Sequence, residues 1–305
     1  MSVPKVLDSY ESVVIHVAAP VFEELLMWTS ENRGRYNRDH LRYPSDVTDA
    51  EWAHIAPLIP PARCGGRGRE VDERNLVNGL MYVLSAGVQW RAIPKDSPPR
   101  STVYRYFCDW SHDGTLDRIH YALYVQCRDK LGREASPTAC IVDSQSVKSA
   151  EKGGASIDPH GFDAGKSIKG KKRHILVDMQ GLPLQALVTS ADVQDRDGGI
   201  ALLSTLFGMF PFLKKLFGDS GYQGPIFHAA LASILPNLET EIVKRSDAAK
   251  GFVVLPKRWI VERSIGWLNR CRRLAKDWEN LNLSALIFLR LAAIRLMLRK
   301  LCNPT

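Results

Sequence analysis

Two short apolar runs that each end on a carboxylate constrain this chain most. Thr138-Ala-Cys-Ile-Val leads into Asp143, and Leu213 to Gly218 leads into Asp219. Each is too short for a stable helix and dense enough in apolar residues to read as a buried strand. A polar, glycine-rich segment runs from Ser144 to Lys172. Arg173 to Met179 and Leu182 to Thr189 then read as a hairpin across Gln180-Gly181. Helices are expected over Asp197 to Phe210 and Ile226 to Leu235, with a short strand over Glu239 to Lys244. Two long helices follow from Pro256, broken near 280–282. The order strand, hairpin, helix, strand, helix, strand, helix is a mixed α/β layout, so residues 136–302 are expected to form one mixed sheet flanked by helices.

The texture changes at Pro137. Before it, residues 41–135 carry helical periodicity only. Thr48-x-x-Glu51 is a capping box ahead of Trp52, Ile55 and Leu58. Asp72 can cap a second helix that Gly87 stops. Pro98-Pro99 precedes a third, with apolar positions Val103, Tyr104, Phe107 and Trp110, and Gly114 closes it before a fourth over Leu116 to Leu131. Short helices with Arg100 and Arg105 on the third look like a helix-turn-helix-like DNA-binding module, although the stretch by itself suits a ligand-free helical bundle better. Residues 1–40 read unlike the rest. They are expected to be a leader or tail, with a short amphipathic helix over Val13 to Trp28 and Met27 as a candidate internal start.

Charge points toward polyanions. The net charge of +8 lies within Lys257 to Lys300, which holds 11 basic and 3 acidic residues, while the remainder is balanced at 30 of each. Such a stripe suits nucleic acid or a solvated helix face. The six cysteines form no C-x-x-C pair and no zinc-like cluster, which suits reduced packing thiols in a cytoplasmic protein. No window reaches the ~18 uninterrupted apolar residues of a membrane span.

Two strand-end carboxylates from neighbouring parallel strands would meet at one sheet edge, where a divalent cation is the common answer to their repulsion. Turn capping is the bland alternative for each. On the first long C-terminal helix, ~100° per residue places Arg258, Glu262, Asn269 and Arg273 on one face. That face can be solvated or aimed at the same edge.

Eight runs taken together resemble the DDE transposases of bacterial insertion sequences, more narrowly the single-chain group of roughly 300 residues. They are Tyr43-Pro-Ser-Asp-Val-Thr-Asp-Ala-Glu-Trp52, Gly87-Val-Gln-Trp-Arg91, Ile141-Val-Asp-Ser-Gln-Ser-Val-Lys148, Gly161-Phe-Asp-Ala-Gly-Lys166, Arg173-His-Ile-Leu-Val-Asp178, Ala191-Asp-Val-Gln-Asp-Arg-Asp197, Gly218-Asp-Ser-Gly-Tyr222 and Trp259-Ile-Val-Glu-Arg263. The resemblance spans Leu41 to Lys300. It implies a ribonuclease-H-like core over 136–302 behind a helical end-binding domain over 41–135. It also implies a catalytic, metal-binding triad of Asp143, Asp219 and Glu262, at intervals of 76 and 43 residues. The triad would hold two Mg²⁺ ions, with Mn²⁺ as a possible substitute, for in-line cleavage and strand transfer. Arg258 matches the family arginine four positions before the glutamate. Leu255 stands where relatives often carry tyrosine and Asn269 where they often carry lysine, so Arg270 or Arg273 would supply that cation.

Lys166, Lys169, Lys171, Lys172, Arg173 and Arg263 are further candidates for DNA contact. Tyr222 can stack on a base or pack. Double-stranded DNA, namely terminal inverted repeats and target, is the expected partner, bound by a homodimer. The alternatives are an inactive transposase-derived repressor and a nuclease of the same fold.

Overall fold

The computed structural model describes residues 34, 36–62, 68–154, 156–243 and 257–303. Residues 1–40 form one unit and residues 41–305 another. The helix expected over Val13 to Trp28, Met27 and Leu255 lie outside the described residues. No described helix is long and apolar enough to cross a membrane.

Four helices come first in the larger unit. Helix α1 (Asp49–Ile55) starts at Thr48, whose hydroxyl accepts from the Glu51 amide while Glu51 reaches back to the Thr48 amide. Helix α2 (Glu73–Ala86) is capped by Asp72 and ends on Gly87 in the left-handed region, φ 69°. A side chain at Gly87 would also meet the Arg272 backbone at 3.0 Å. Helix α3 (Arg100–His112) and helix α4 (Thr115–Lys130) are joined through Asp113-Gly114. The connection between α2 and α3 takes residues 87–99 and contains a 3-10 turn at Trp90–Ala92. It is therefore not the three- to four-residue turn of a helix-turn-helix.

The sheet runs β2-β3-β1-β5-β6, with β4 also on β3. Its strands are β1 (Ala139–Lys148), β2 (Gly161–Asp163), β3 (Ile168–Asp178), β4 (Pro183–Ser190), β5 (Lys215–Gly218) and β6 (Glu239–Ile242). Strands β1, β3 and β4 are antiparallel neighbours, while β5 and β6 run parallel to β1. Helices α5 (Asp195–Ser204) and α6 (Pro225–Ile234) connect β4 to β5 and β5 to β6. Helices α7 (Arg258–Leu268) and α8 (Asn282–Cys302) complete the chain.

Several elements differ in extent from the sequence reading. Strand β1 continues to Lys148, because its polar residues from Ser144 to Lys148 pair fully with β3. Helix α5 stops at Ser204, six residues before Phe210. Helix α7 ends at Leu268, and the chain then turns through Asn269 into a 3-10 segment, Arg272–Leu274. Arg273 therefore does not continue the Arg258–Glu262 face.

One continuous core joins the helices to the sheet, from Ile55, Leu80 and Phe107 to Val142, Leu176 and Leu216. Helix α8 packs on α4, α1, α2, β4 and α7. The seam is aromatic: Trp90 lies edge-on to Tyr104 and Phe107, and Phe107 meets Phe288 of α8 at 4.9 Å. At the hairpin end of the sheet, Asp178 is fully buried. It receives the Arg128 guanidinium at 2.5 Å, the Gln180 and Leu182 amides at 2.9 Å each, and the Tyr124 hydroxyl at 3.3 Å.

Candidate active site

The parallel pairing of β1 with β5 brings two carboxylates to one edge. Asp143 lies inside β1, opposite Ile175 of β3, rather than just past the strand. Asp219 follows the last residue of β5. Glu262 projects from the second turn of α7, where it is half exposed. A single guanidinium nitrogen, Arg258 Nη2, lies 3.9 Å from Asp143 Oδ2, 3.7 Å from Asp219 Oδ2 and 3.5 Å from Glu262 Oε1. The fold thus brings together the four residues singled out from three separate segments.

Each aspartate also serves its own backbone. Asp143 Oδ1 accepts the Ser144 amide at 2.7 Å, and Asp219 Oδ1 accepts the Gly221 amide at 2.8 Å. Turn capping and convergence are therefore both true of Asp219, one oxygen for each. Burial raises the Asp143 carboxyl to about 6; the Ser144 amide and Arg258 oppose the rise, and Asp219 adds to it. A carboxylate that is costly to ionise in isolation is one that a cation relieves.

The donor set suits a hard divalent ion, being three carboxylates with no thiolate or imidazole among them. As they stand, these carboxylates surround Arg258, and among the described residues none gather closely enough to form a ready coordination shell. The guanidinium occupies the role a metal cation would take at their focus.

Beside this edge lies a cleft of about 600 Å³ lined by Asp163, Lys166, Lys172, Asp195, Arg196 and Gly221, among others. Lys172 is buried and gives its ammonium to Asp195 at 2.8 Å, Asp163 at 3.5 Å and the Val193 carbonyl at 2.8 Å. Lys172 and Ser144 hold the Asp195 carboxyl below its ordinary range, against the upward push of burial.

The basic candidates divide sharply. Lys166 is exposed at the rim of this cleft, and Lys169 is exposed near the start of β3. Lys171, Lys172 and Arg173 are buried and cannot grip phosphate as placed. Lys171 reaches the Asn280 carbonyl, and Arg173 donates to the Leu274 carbonyl at 2.8 Å. Alternation along a strand does not protect them, because β3 is covered on both faces.

Arg273 is likewise buried, bound to Glu279 at 2.6 Å and the Val88 carbonyl at 2.8 Å. Of the two candidates for the missing lysine, only Arg270 is exposed. Arg263 lies between the rings of Trp259 and Trp267 on α7. Arg100 and Arg105 are exposed on α3. Arg105 sits over Tyr106 at the rim of a second cleft, of about 740 Å³.

Tyr222 packs and offers no face to a base. Its ring is fully buried, with Gly199 and Gly218 leaving it room. Burial first, then Asp143, Asp195 and Asp219, hold its hydroxyl well above the ordinary tyrosine range. The residue that sequence reasoning missed is Asp195. It lay within the run Ala191 to Asp197, and its approach to Ser144 and Lys172 depends on pairing across three strands.

Two protein families and several relatives are similar to this chain. The family described as "Transposase DDE domain" matches residues 134–297, more than half of the chain. A second family, "Putative transposase of IS4/5 family", matches residues 47–120. The "Insertion element IS402 uncharacterized 16.2 kDa protein" of Burkholderia cepacia is 33% identical over 113 residues, covering 35% of this chain and 76% of its own length. The "Putative transposase for insertion sequence element IS402" of the same organism is 33% identical over 121 residues. That match covers 36% of this chain and 54% of the relative, so it spans about half of that relative's length. Protein y4sN of Sinorhizobium fredii is 28% identical over 102 residues, 75% of its length.

Proposed function

This chain belongs to the DDE transposase family, and on that premise we propose that it cuts the ends of an insertion sequence and joins them to target DNA. The observation that carries the reading is the convergence of Asp143, Asp219 and Glu262 on one Arg258 nitrogen within 3.9 Å. Mg²⁺ held by these three carboxylates, as a pair of ions and with Mn²⁺ as a substitute, would supply Lewis acidity to the attacking and leaving oxygens of a phosphodiester.

The chain's own residues do the rest. Asp143 and Asp219 present one oxygen each outward because the other is tied to backbone amides. Arg258, drawn off the carboxylates, is a cation for the adjacent phosphate. Lys166, Lys169 and Arg270, all exposed, are assigned to neutralising the flanking strand. Water attacks phosphorus first and the strand end leaves as a 3′-hydroxyl. That hydroxyl then attacks a target phosphodiester, and a second 3′-oxygen leaves. No protein nucleophile is required, in keeping with the burial of the Tyr222 hydroxyl.

Residues 41–135, with Arg100 and Arg105 exposed, are assigned to terminal inverted repeats. Two such ends call for a homodimer on double-stranded DNA, at the nucleoid. The test is Mg²⁺-dependent cleavage and strand transfer on the element's own ends. Nicking and joined products are expected. Cutting without joining would instead mark a nuclease, and end binding without either would mark a repressor.

A further inference from the structure

Asp143 stands within β1 and Asp219 just past β5, and the pairing of these two strands stops short of both. The parallel ladder joins Ala139, Cys140 and Ile141 of β1 to Lys215, Leu216 and Phe217 of β5, and goes no further. Something beyond the ladder has to fix the two carboxylates against each other.

Asp195, the first residue of α5, stands at that gap. Its Oδ1 receives the Ser144 hydroxyl at 2.8 Å, beside Asp143. Its Cβ faces the loop of Asp219 so closely that a methyl group on Gly221 would stand 3.3 Å from it and 2.9 Å from Asp219 Oδ1. The same Gly221 amide holds Asp219. Lys172 anchors Asp195 from beneath at 2.8 Å, and is itself only 5% exposed and tied to Val193 and Asp163. Asp163 in turn receives the Ser146 hydroxyl at 2.5 Å, so the brace reaches β1 at two alternate residues.

We propose that Asp195, anchored by Lys172, is a positioning residue that holds the Asp143 and Asp219 carboxylates at the separation a divalent cation needs. The proposal rests on the metal-dependent reading of the site given above. Asp195 contacts neither the cation nor DNA in this role; it acts through Ser144 and Gly221. A carboxylate kept only to start a helix would need no buried lysine beneath it and no hydroxyl from the neighbouring strand.

The test measures Mn²⁺ binding directly, by the electron paramagnetic resonance signal of free ion, in the full chain without DNA. Variants are Asp195→Ala, Asp195→Asn and Ser144→Ala, with Asp143→Asn as reference. Loss of a residue that orients metal ligands typically weakens metal affinity about 10–100-fold, and that is expected for Asp195→Ala. Asp195→Asn keeps an acceptor for Ser144 and should lose less. Ser144→Ala should fall between wild type and Asp195→Ala. End-DNA binding should stay near wild type throughout.

Wild-type Mn²⁺ affinity in Asp195→Ala would overturn the proposal. If that variant does not fold, Asp195→Asn with unchanged Mn²⁺ affinity would overturn it instead. Failure of the wild-type chain to bind Mn²⁺, or undiminished binding by Asp143→Asn, would remove the metal site itself and with it the broader reading. Normal binding by wild type, loss in Asp143→Asn and no change in Asp195→Ala would remove the brace alone.

Discussion

The β1–β3 pair carries two carboxylates of opposite character, Asp178 fully buried and Asp143 partly so. Asp178, at the hairpin end, is saturated by a guanidinium at 2.5 Å, two amides and a phenol. Asp143, three β1 positions away from Cys140, the residue opposite Asp178, has one amide and a guanidinium at 3.9 Å. Both sit beside an arginine, and both would look alike in a list of acidic positions. The difference is compensation. A carboxylate whose partners are complete holds the fold, and one left short of partners is available for chemistry.

The largest effect should come at the uncompensated carboxylates. Asp143→Asn, Asp219→Asn and Glu262→Gln should each lower cleavage by ~10³-fold or more, the scale of losing one electrostatic element of a catalytic site, while end binding persists. Gel-resolved cleavage of end DNA measures it, and near-normal cutting by any one removes that residue from the triad. Asp192, exposed and paired with Ser190, is the proper acidic control.

At the compensated Asp178 the loss should appear in stability instead. Arg128→Met leaves Asp178 buried with its charge unpaired, and should cost about 3–5 kcal/mol in denaturant unfolding. Equal destabilisation by Asp143→Asn would erase the contrast.

A subtler expectation concerns pH. The folded Asp143 carboxyl sits at about 6, above its ordinary value of 3.8. The folded chain therefore binds this proton more tightly than the unfolded chain does. Its contribution is complete below about pH 4 and is lost as pH rises through 6. In metal-free buffer, Asp143→Asn should thus be more stable than wild type at pH 8, by an order of 1–3 kcal/mol, with the gain gone by pH 4. Thermal melts at both pH values decide it, and a gain that persists at pH 4 would need another cause.

The smallest effect distinguishes basic residues. Arg270 and Arg272 are exposed, so replacing both by Ala should flatten the slope of log affinity against log salt by up to about 1.8 on duplex DNA. Arg273→Ala should leave the slope unchanged and lower the melting temperature. A reduced slope from Arg273→Ala would mean that the buried guanidinium is released on DNA.

Most of the fold was readable from periodicity and punctuation. The Thr48 capping box, the Asp72 cap, the Gly87 stop and the Gln180-Gly181 hairpin are all local, and local chemistry decides them. The site was partly readable, because Asp143 and Asp219 close apolar runs and Glu262 shares a helix face with Arg258. What could not be read was burial of charge. Lys171, Lys172 and Arg173 look like a phosphate-binding run, but β3 lies between β1 on one edge and β2 and β4 on the other, and its faces are covered. The end of α7 at Leu268 was equally hidden, since the residues beyond it keep a helical pattern while the chain turns. Asp195 was invisible for the same reason: its partners come from β1 and β3, and sequence distance says nothing about that meeting.

The Gly87-Val-Gln-Trp-Arg91 segment bears on how this protein could measure DNA. Val88 holds Arg273 through its carbonyl, Trp90 lies against Tyr104 and Phe107, and Gly87 abuts the Arg272 backbone. The four leading helices are thereby bolted to the segment that follows the glutamate helix. On the proposed reading, DNA bound by α3 would be held at a fixed span from the carboxylate edge, like an object between the jaws of a locked calliper. The cut should then fall a constant number of base pairs from the recognised sequence, and inserting a single base pair between the two should shift the nick rather than stretch the protein.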